Sequence, residues 1–346
     1  MALDGTSHGK SMQGLELQPQ NLTISSGCGA IINNLIYCIT EPGEGVALPT
    51  PYYPAFDYDI KVRGSEEPYD QQLQRAADEY QQKTGKRLAV LLVTNPDNPT
   101  GTVYSKERLL QMLTWCCKNK VHLISPQEHG LPSADVQSYV HVMFGLSKDW
   151  CASGLRVGCL WTLNEPVQSA IQNLSYFCGV SGLAQHMLAD MLEDTAFVRK
   201  YVKENLSRLG AAYDTLAGAL TKASISFTPA VASVFCWVDL RSALPEATWE
   251  AERQLWEEGF VQRCGFIITP GQSCHAAEPG FFRICYAIVD KDTILELVDR
   301  LVNFVAKTAA ERQEVPLWIS RDSLQKAQQQ IKNDPAQPKG PVQHGQ

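Results

Sequence analysis

The chain has 346 residues, 44% of them hydrophobic and 19% charged, with a mean hydropathy of −0.19. That length accommodates two domains, and the balance excludes a wholly disordered or collagen-like chain. Lys and Arg number 30 against 37 Asp and Glu, a formal charge of −7, so no overall basic field marks a nucleic-acid binder, and no apolar run reaches the ~18 residues that cross a bilayer.

Residues 1–20 are polar, carry Gly, Ser and Gln, and read as a flexible arm. From Ala30 the pattern is helical: Ile31, Leu35 and Ile39 lie four apart with Ile32 and Ile36 beside them, until Glu41-Pro42-Gly43-Glu44-Gly45 stops the helix. A short strand at 46–48 follows, then a polar helix over 71–84 ending at Gly85. Residues 88–93 form a continuous apolar run, the mark of a strand covered on both faces. The turn-rich loop 95–101 leads to a helix over 105–118, with Leu109, Leu110, Met112 and Leu113 on its inner side. Further strands are predicted at 121–124, 140–146 and 157–161. Strands alternating with helices predict an α/β fold with a mostly parallel sheet, and the loops after 48, 93, 124 and 146 are where its chemistry belongs.

After Asn164 the pattern changes. Helices are predicted at 165–175 and 182–192, and a long amphipathic one over 195–223 bridges two lobes. Then come a strand at 233–238, a helix at 247–259, strands at 266–269 and 282–287, and a helix over 293–305 that Asp290 or Asp292 can cap. The expected organisation is a large domain over 21–165, a smaller α+β domain over 166–307, and a mostly disordered tail over 308–346, rich in Gln, Lys and Pro. Eleven cysteines are scattered with no Cys-x-x-Cys pair, several in apolar runs. They read as buried thiols in a reducing compartment, with neither a disulfide framework nor a metal site. With no apolar signal stretch at the start, a cytoplasmic protein is expected.

The most specific stretch is Gly145-Leu146-Ser147-Lys148-Asp149-Trp150, followed by Gly154-Leu155-Arg156-Val157-Gly158. A lysine directly after a buried strand can be desolvated, which lowers its pKa and frees the amine for Schiff-base formation. Ser147 and Arg156 can hold a phosphate, the arginine by its planar fork. A solvent-facing lysine and a surface arginine pair fit this stretch equally well when it is taken alone. In Asn95-Pro96-Asp97-Asn98-Pro99-Thr100-Gly101, two Asn-Pro steps exceed what a simple turn needs. An asparagine amide fixed there can donate to a phenolate oxygen or a carboxylate. Arg283 lies in an otherwise apolar strand, where a buried guanidinium requires an anion.

Together these stretches resemble the fold-type I pyridoxal 5′-phosphate (PLP) enzymes of the aminotransferase class I and II family. Residues 49–57, 180–186 and 270–283 resemble its 1-aminocyclopropane-1-carboxylate synthase branch, and the likeness runs in order from residue 22 to 305. The resemblance implies a PLP-binding large domain and a smaller C-terminal domain. It implies that Lys148 bonds the cofactor and moves the Cα proton, and that Gly29 and Ala30 offer main-chain N–H groups to the cofactor phosphate beside Ser147 and Arg156. It further implies that Tyr53 stacks on the ring, with Tyr52 the alternative, that Asn98 bonds the ring's 3′ oxygen on the substrate side, and that Arg283 clamps the substrate α-carboxylate. The partners implied are an amino-acid substrate, either S-adenosylmethionine or an amino acid and keto acid pair, and a second copy of the chain; neither nucleic acid nor membrane is expected.

Two departures stand out. The family follows the strand at 122–125 with an aspartate that keeps the pyridine nitrogen protonated and, three residues later, a tyrosine; here Pro126 and His129 stand there, with Gln127 and Glu128 between. The family's N-terminal region, with its substrate-side contacts, also has no counterpart, so either Met1 is not the full start or the gene is decaying. Three functions follow: an active PLP-dependent lyase or aminotransferase, a cofactor-binding but catalytically poor relative, and a folded dimer partner. Lys148, Asn98, Arg156 and Arg283 favour the first two, since a scaffold needs none of them.

Overall fold

The structure is a computed structural model that describes residues 18–58, 69–125 and 138–311. The described residues divide into two compact units, 18–208 with Ala230–Ser233, and Leu209–Pro229 with 234–311; nearly all of the expected arm and of the expected tail lies outside the described residues. Residues 166–208, set with the second domain by the sequence reading, thus belong to the first unit, and the division falls inside a helix.

The first unit is built on a six-stranded sheet in the order β1-β6-β5-β4-β3-β2. Its strands are β1 (Leu22–Ser25), β2 (Gly45–Ala47), β3 (Leu88–Leu92), β4 (His122–Ser125), β5 (Val140–Gly145) and β6 (Gly158–Thr162). Strands β2 to β5 pair in parallel, while β6 runs antiparallel to both β5 and β1. Five of the six therefore point one way, which is the mostly parallel α/β sheet expected.

Period-two alternation splits the apolar strand residues between two helical layers. Val90, Leu92, Ile124 and Leu160 pack with Ile31, Ile32, Leu35 and Ile39 of α1 (Gly27–Ile39) and with Val167 and Ile171 of α5 (Glu165–Ser175). On the other face Leu91, Val93 and Leu123 pack with Leu73 of α2 (Tyr69–Thr84) and with Leu109, Met112 and Leu113 of α3 (Lys106–Asn119). Caps fix the helix starts: Ser105 Oγ accepts from Arg108 N–H at 3.2 Å, and Asn164 Oδ1 from Val167 N–H at 3.0 Å. The one-turn α4 (Leu146–Asp149), α6 (Gly182–Glu193) and the first part of α7 (Thr195–Lys222) complete this unit.

In the second unit an antiparallel sheet, β7 (Ser226–Thr228), β8 (Phe235–Asp239), β10 (Phe281–Cys285) and β9 (Thr269–Pro270) in that order, packs on Leu216 and Leu220 of α7 and on Ile294, Val298 and Leu301 of α9 (Lys291–Glu311). Phe260 sits at its centre against Phe266, Phe282 and Phe304. Asp290 caps α9 through Thr293 N–H at 2.8 Å.

The helix expected at 247–259 is a short α8 (Trp249–Gln254) that widens into a π-helical run, Leu255–Cys264. The strand expected at 266–269 shrinks to Thr269–Pro270, because Ile267 points outward at 78% exposure instead of pairing inward. Strands β1 and β7, four and three residues long, are too short to leave an alternation in the sequence. The cysteines are unbridged. Among the described residues no helix is long and apolar enough to cross a membrane, and no group of three His, Cys, Asp or Glu could hold a metal ion.

Candidate functional site

Because β1 to β5 share one direction, their carboxyl ends open on one edge of the sheet, the side where open α/β sheets bind ligands. The loops leaving β1, β2, β3 and β5 there carry the sequence candidates of this unit. The connection after β4 contains Pro126 and His129 and lies outside the described residues.

Strand β6 starts at the same edge, and this reversal brings lysine and arginine onto one connection. Gly145 pairs with Gly158, and Leu146 N–H donates to Val157 O at 3.1 Å, closing residues 146–157 into a loop. Ser147 and Lys148 lie on α4, Ser147 half-buried. Lys148 is exposed where the sequence reading expects a desolvated amine, because α4 carries the chain off the end of β5 toward the surface. Arg156 sits in left-handed backbone at φ 52°, its Nη1 donating to Ser153 O at 3.1 Å.

Its guanidinium meets the start of α1. A Cβ on Gly27 would lie 2.5 Å from Arg156 Nη2, and Gly27 itself has a φ of +85°. On Gly158 a Cβ would lie 2.6 Å from the Gly27 carbonyl carbon, and on Gly145 it would lie 2.6 Å from Cys28 Sγ. Three glycines thus let the first turn of α1 sit close on the β5–β6 hairpin: Gly158 against the Gly27 main chain, Gly145 against the Cys28 thiol, and Gly27 against the Arg156 guanidinium. Helix α1 begins at Gly27 rather than at residue 30, so Gly29 is its third residue and Ala30 its fourth. The N–H groups of Gly27, Cys28 and Gly29 have no partner within the helix, and the positive end of its dipole adds to the guanidinium. That combination is an anion cradle. The Cys28 thiol beside it is pushed up by burial and pulled back by Arg156.

After β2 the two tyrosines separate. Tyr52 is 4% exposed and packs in the core, whereas Tyr53 is 40% exposed and meets Phe56 edge-on at 5.5 Å. Tyr53 is therefore the ring the edge presents. After β3, the loop holding Asn98 is organised by Asp97, which the sequence reading passed over. Its buried carboxylate accepts from Thr94 Oγ1 at 3.2 Å, from Thr100 Oγ1 at 2.5 Å and from Thr100 N–H at 3.4 Å. Asp97 N–H donates to Thr102 O at 2.8 Å, and Asn95 Oδ1 accepts from Tyr104 N–H at 3.0 Å. Burial raises the Asp97 carboxyl while these donors pull it down. Asn98, half-buried, thus sits in a loop fixed on both sides.

Arg283 belongs to the second unit. It lies on β10 opposite Thr269, donates from Nη2 to Thr269 Oγ1 at 3.0 Å, and rests over the Phe235 ring at 4.2 Å.

The opposite edge of the large sheet holds a second polar cluster. His122 Nδ1 meets His141 Nε2 at 2.9 Å, and His141 Nδ1 meets Thr162 Oγ1 at 2.9 Å. The two rings stack at 5.1 Å, and His141 is fully buried.

Residues 7–301 match the family model described as aminotransferase class I and II. The chain is 33% identical over 336 residues to 1-aminocyclopropane-1-carboxylate synthase 11 of Arabidopsis thaliana, covering 89% of this chain and 73% of that protein. It is 34% identical over 322 residues to 1-aminocyclopropane-1-carboxylate synthase 3 of Solanum lycopersicum, covering 84% and 68%. Among solved structures, an aspartate aminotransferase double mutant of Thermus thermophilus superposes with a TM-score of 0.72 at 21% identity, covering 84% of this chain and 78% of that one. A PLP-bound structure from Clostridium difficile 630 gives 0.68 at 16% identity, covering 84% and 79%. At these identities the likeness to the solved structures is one of fold.

Proposed function

The chain belongs to the aminotransferase class I and II family, and from that premise we propose that it is a PLP-dependent enzyme acting at Cα of an amino acid, as a 1-aminocyclopropane-1-carboxylate synthase-like lyase or as an aminotransferase. The observation that carries this reading is the anion cradle, where a guanidinium and a free helix end meet across glycines too close-packed to bear a side chain. It suits a phosphate monoester.

Arg156, Ser147 and the first-turn N–H groups of α1, including Gly29 and with Ala30 behind it, would grip that phosphate. Tyr53 would cover one face of the ring, and Asn98, steadied through Asp97, would donate to its 3′ oxygen. When bound, the cofactor supplies an electron-withdrawing ring that makes the Cα proton of an attached amino acid removable. Lys148, three residues beyond the end of β5, would bond the cofactor at rest and carry the proton once released. Arg283, oriented by Thr269 and Phe235, would hold the substrate α-carboxylate as a planar fork.

A second copy is the proposed partner. Tyr37, Tyr176, Phe177, Leu183 and Met187 are 77%, 84%, 84%, 72% and 52% exposed. Asn34 Nδ2, one turn before Tyr37, reaches Cys178 Sγ at 3.8 Å and joins α1 to the 176–178 turn, and exposed apolar groups of this extent suit a partner surface. Pro126, standing where the family has its ring-nitrogen aspartate, favours a second reading: a relative that binds PLP yet turns over poorly.

The test is spectroscopic, then chemical. Wild-type protein given PLP should develop the absorbance band of a lysine-bound cofactor, and Lys148→Ala should lack it. Absence of a band in the wild type refutes the reading. Release of methylthioadenosine from S-adenosylmethionine identifies the lyase, and amino-group exchange between an amino acid and a keto acid the aminotransferase. A band without turnover supports the poorly active relative.

A further inference from the structure

In the second unit, Glu252 on α8 is 0% exposed, and its partners are main-chain N–H groups instead of a basic side chain. A carboxylate this deeply placed is costly unless its oxygens are fully hydrogen-bonded. Oε1 accepts from Gln272 N–H at 2.8 Å and Oε2 from Gly280 N–H at 2.5 Å. Burial pushes its carboxyl up, and the N–H groups of Gln272, Gly280 and Gly271 pull it down.

The two bonded amides stand at opposite ends of the connection between β9 and β10. Gln272 follows β9 by two residues, and Gly280 immediately precedes β10. One side chain therefore draws both ends of the 271–280 loop together. The same helical run grips the hairpin again, since Trp256 Nε1 donates to Ile268 O at 2.6 Å, just before Thr269. Thr269 faces Arg283 across the β9–β10 pair and receives its Nη2 donor.

We propose that Glu252 is a positioning residue for substrate: by tying Gln272 and Gly280 it fixes the β9–β10 pair, and with it the guanidinium of Arg283 that takes the substrate carboxylate. The inference rests on the reading of Arg283 given above. A neutral glutamine of the same shape can accept on one arm only and turns its NH2 group toward the other amide. Glu252→Gln should thus loosen the loop without emptying the space, while Glu252→Asp keeps the charge on a shorter arm.

Wild type and both variants are loaded with PLP and titrated spectroscopically with 2-methylalanine, which has no Cα proton to lose, and with isopropylamine, which lacks the carboxylate. Glu252→Gln should weaken 2-methylalanine binding about tenfold and leave isopropylamine and PLP binding unchanged, with Glu252→Asp in between. Unchanged 2-methylalanine binding, or equal weakening for acid and amine, overturns the proposal. A wild type that takes up no PLP overturns the functional reading instead. If Glu252→Gln does not fold, Glu252→Asp and amide exchange in the wild type still decide. The Gln272 and Gly280 amides should exchange slowly for loop residues, and fast exchange at both overturns the proposal.

Discussion

The His122–His141–Thr162 cluster makes the first unit sensitive to acid. Burial, reinforced by Arg87, takes His122 from 6.5 to about 4, and burial, reinforced by His122, takes His141 from 6.5 to about 3. Both rings stay neutral in the fold over a range where the unfolded chain protonates them. Their contribution to stability is whole above pH 6.5 and is lost as pH falls from there toward the folded values. At 1.36 kcal/mol per pH unit, His141 alone costs about 2 kcal/mol at pH 5, and His122, whose folded value also lies below pH 5, adds about as much, for about 4 kcal/mol. Asp97 and Glu252, with carboxyls that burial pushes up, act in the opposite sense, so a comparison with a variant is needed to isolate the histidines. The variant is His122→Gln/His141→Gln, which retains hydrogen-bonding groups and cannot titrate. Urea unfolding at pH 7.5, 6 and 5 should show the wild type losing about 4 kcal/mol more than the variant across this span. Parallel losses in the two proteins would refute the assignment of acid sensitivity to this pair.

Three further outcomes follow from the described contacts. Gly158→Ala drives a methyl into the Gly27 carbonyl carbon at 2.6 Å, so it should cost about 1–3 kcal/mol in thermal melts and weaken PLP uptake beyond that of a surface Gly→Ala change. Asp97→Ala strips three donors of their acceptor and should cost about 2 kcal/mol in denaturant unfolding, with Asp97→Asn milder; equal effects would show that the charge carries the loop's order. Phe177→Lys/Leu183→Glu should convert a dimer to a monomer in sedimentation analysis while leaving the far-ultraviolet dichroism unchanged; a variant that remains dimeric would place the interface elsewhere.

Much of the frame is readable in the chain because single physical signals dominate it. The unbroken apolar run of β3 has no reading but a covered strand, and the four-residue spacing of Ile31, Leu35 and Ile39 admits only a helix. The start of α1 is not readable, since Ser26 makes no side-chain cap bond and a glycine pair hides the helical turn. Strand β1 has only four residues, and its partner β6 lies far along the sequence. Residues 266–269 mislead because Ile267 is an apolar side chain facing outward. At the site, Lys148, Arg156 and Asn98 stand out by motif, while Asp97 and Glu252 do not. A carboxylate whose partners are hydroxyls and main-chain amides leaves no charge pattern in the sequence.

The reversed direction of β6 also divides assembly into an early and a late stage. Lysine and arginine share one short hairpin connection, which can close by local contact alone. The helix end opposite them arrives only when β1 pairs with β6 and Ser25 Oγ reaches Cys178 O, 153 positions away. Half of the proposed phosphate grip is thus cheap in chain entropy and half is expensive. A nascent chain would carry the lysine loop well before it could retain the vitamin-derived group, so capture of that group reports completion of the sheet.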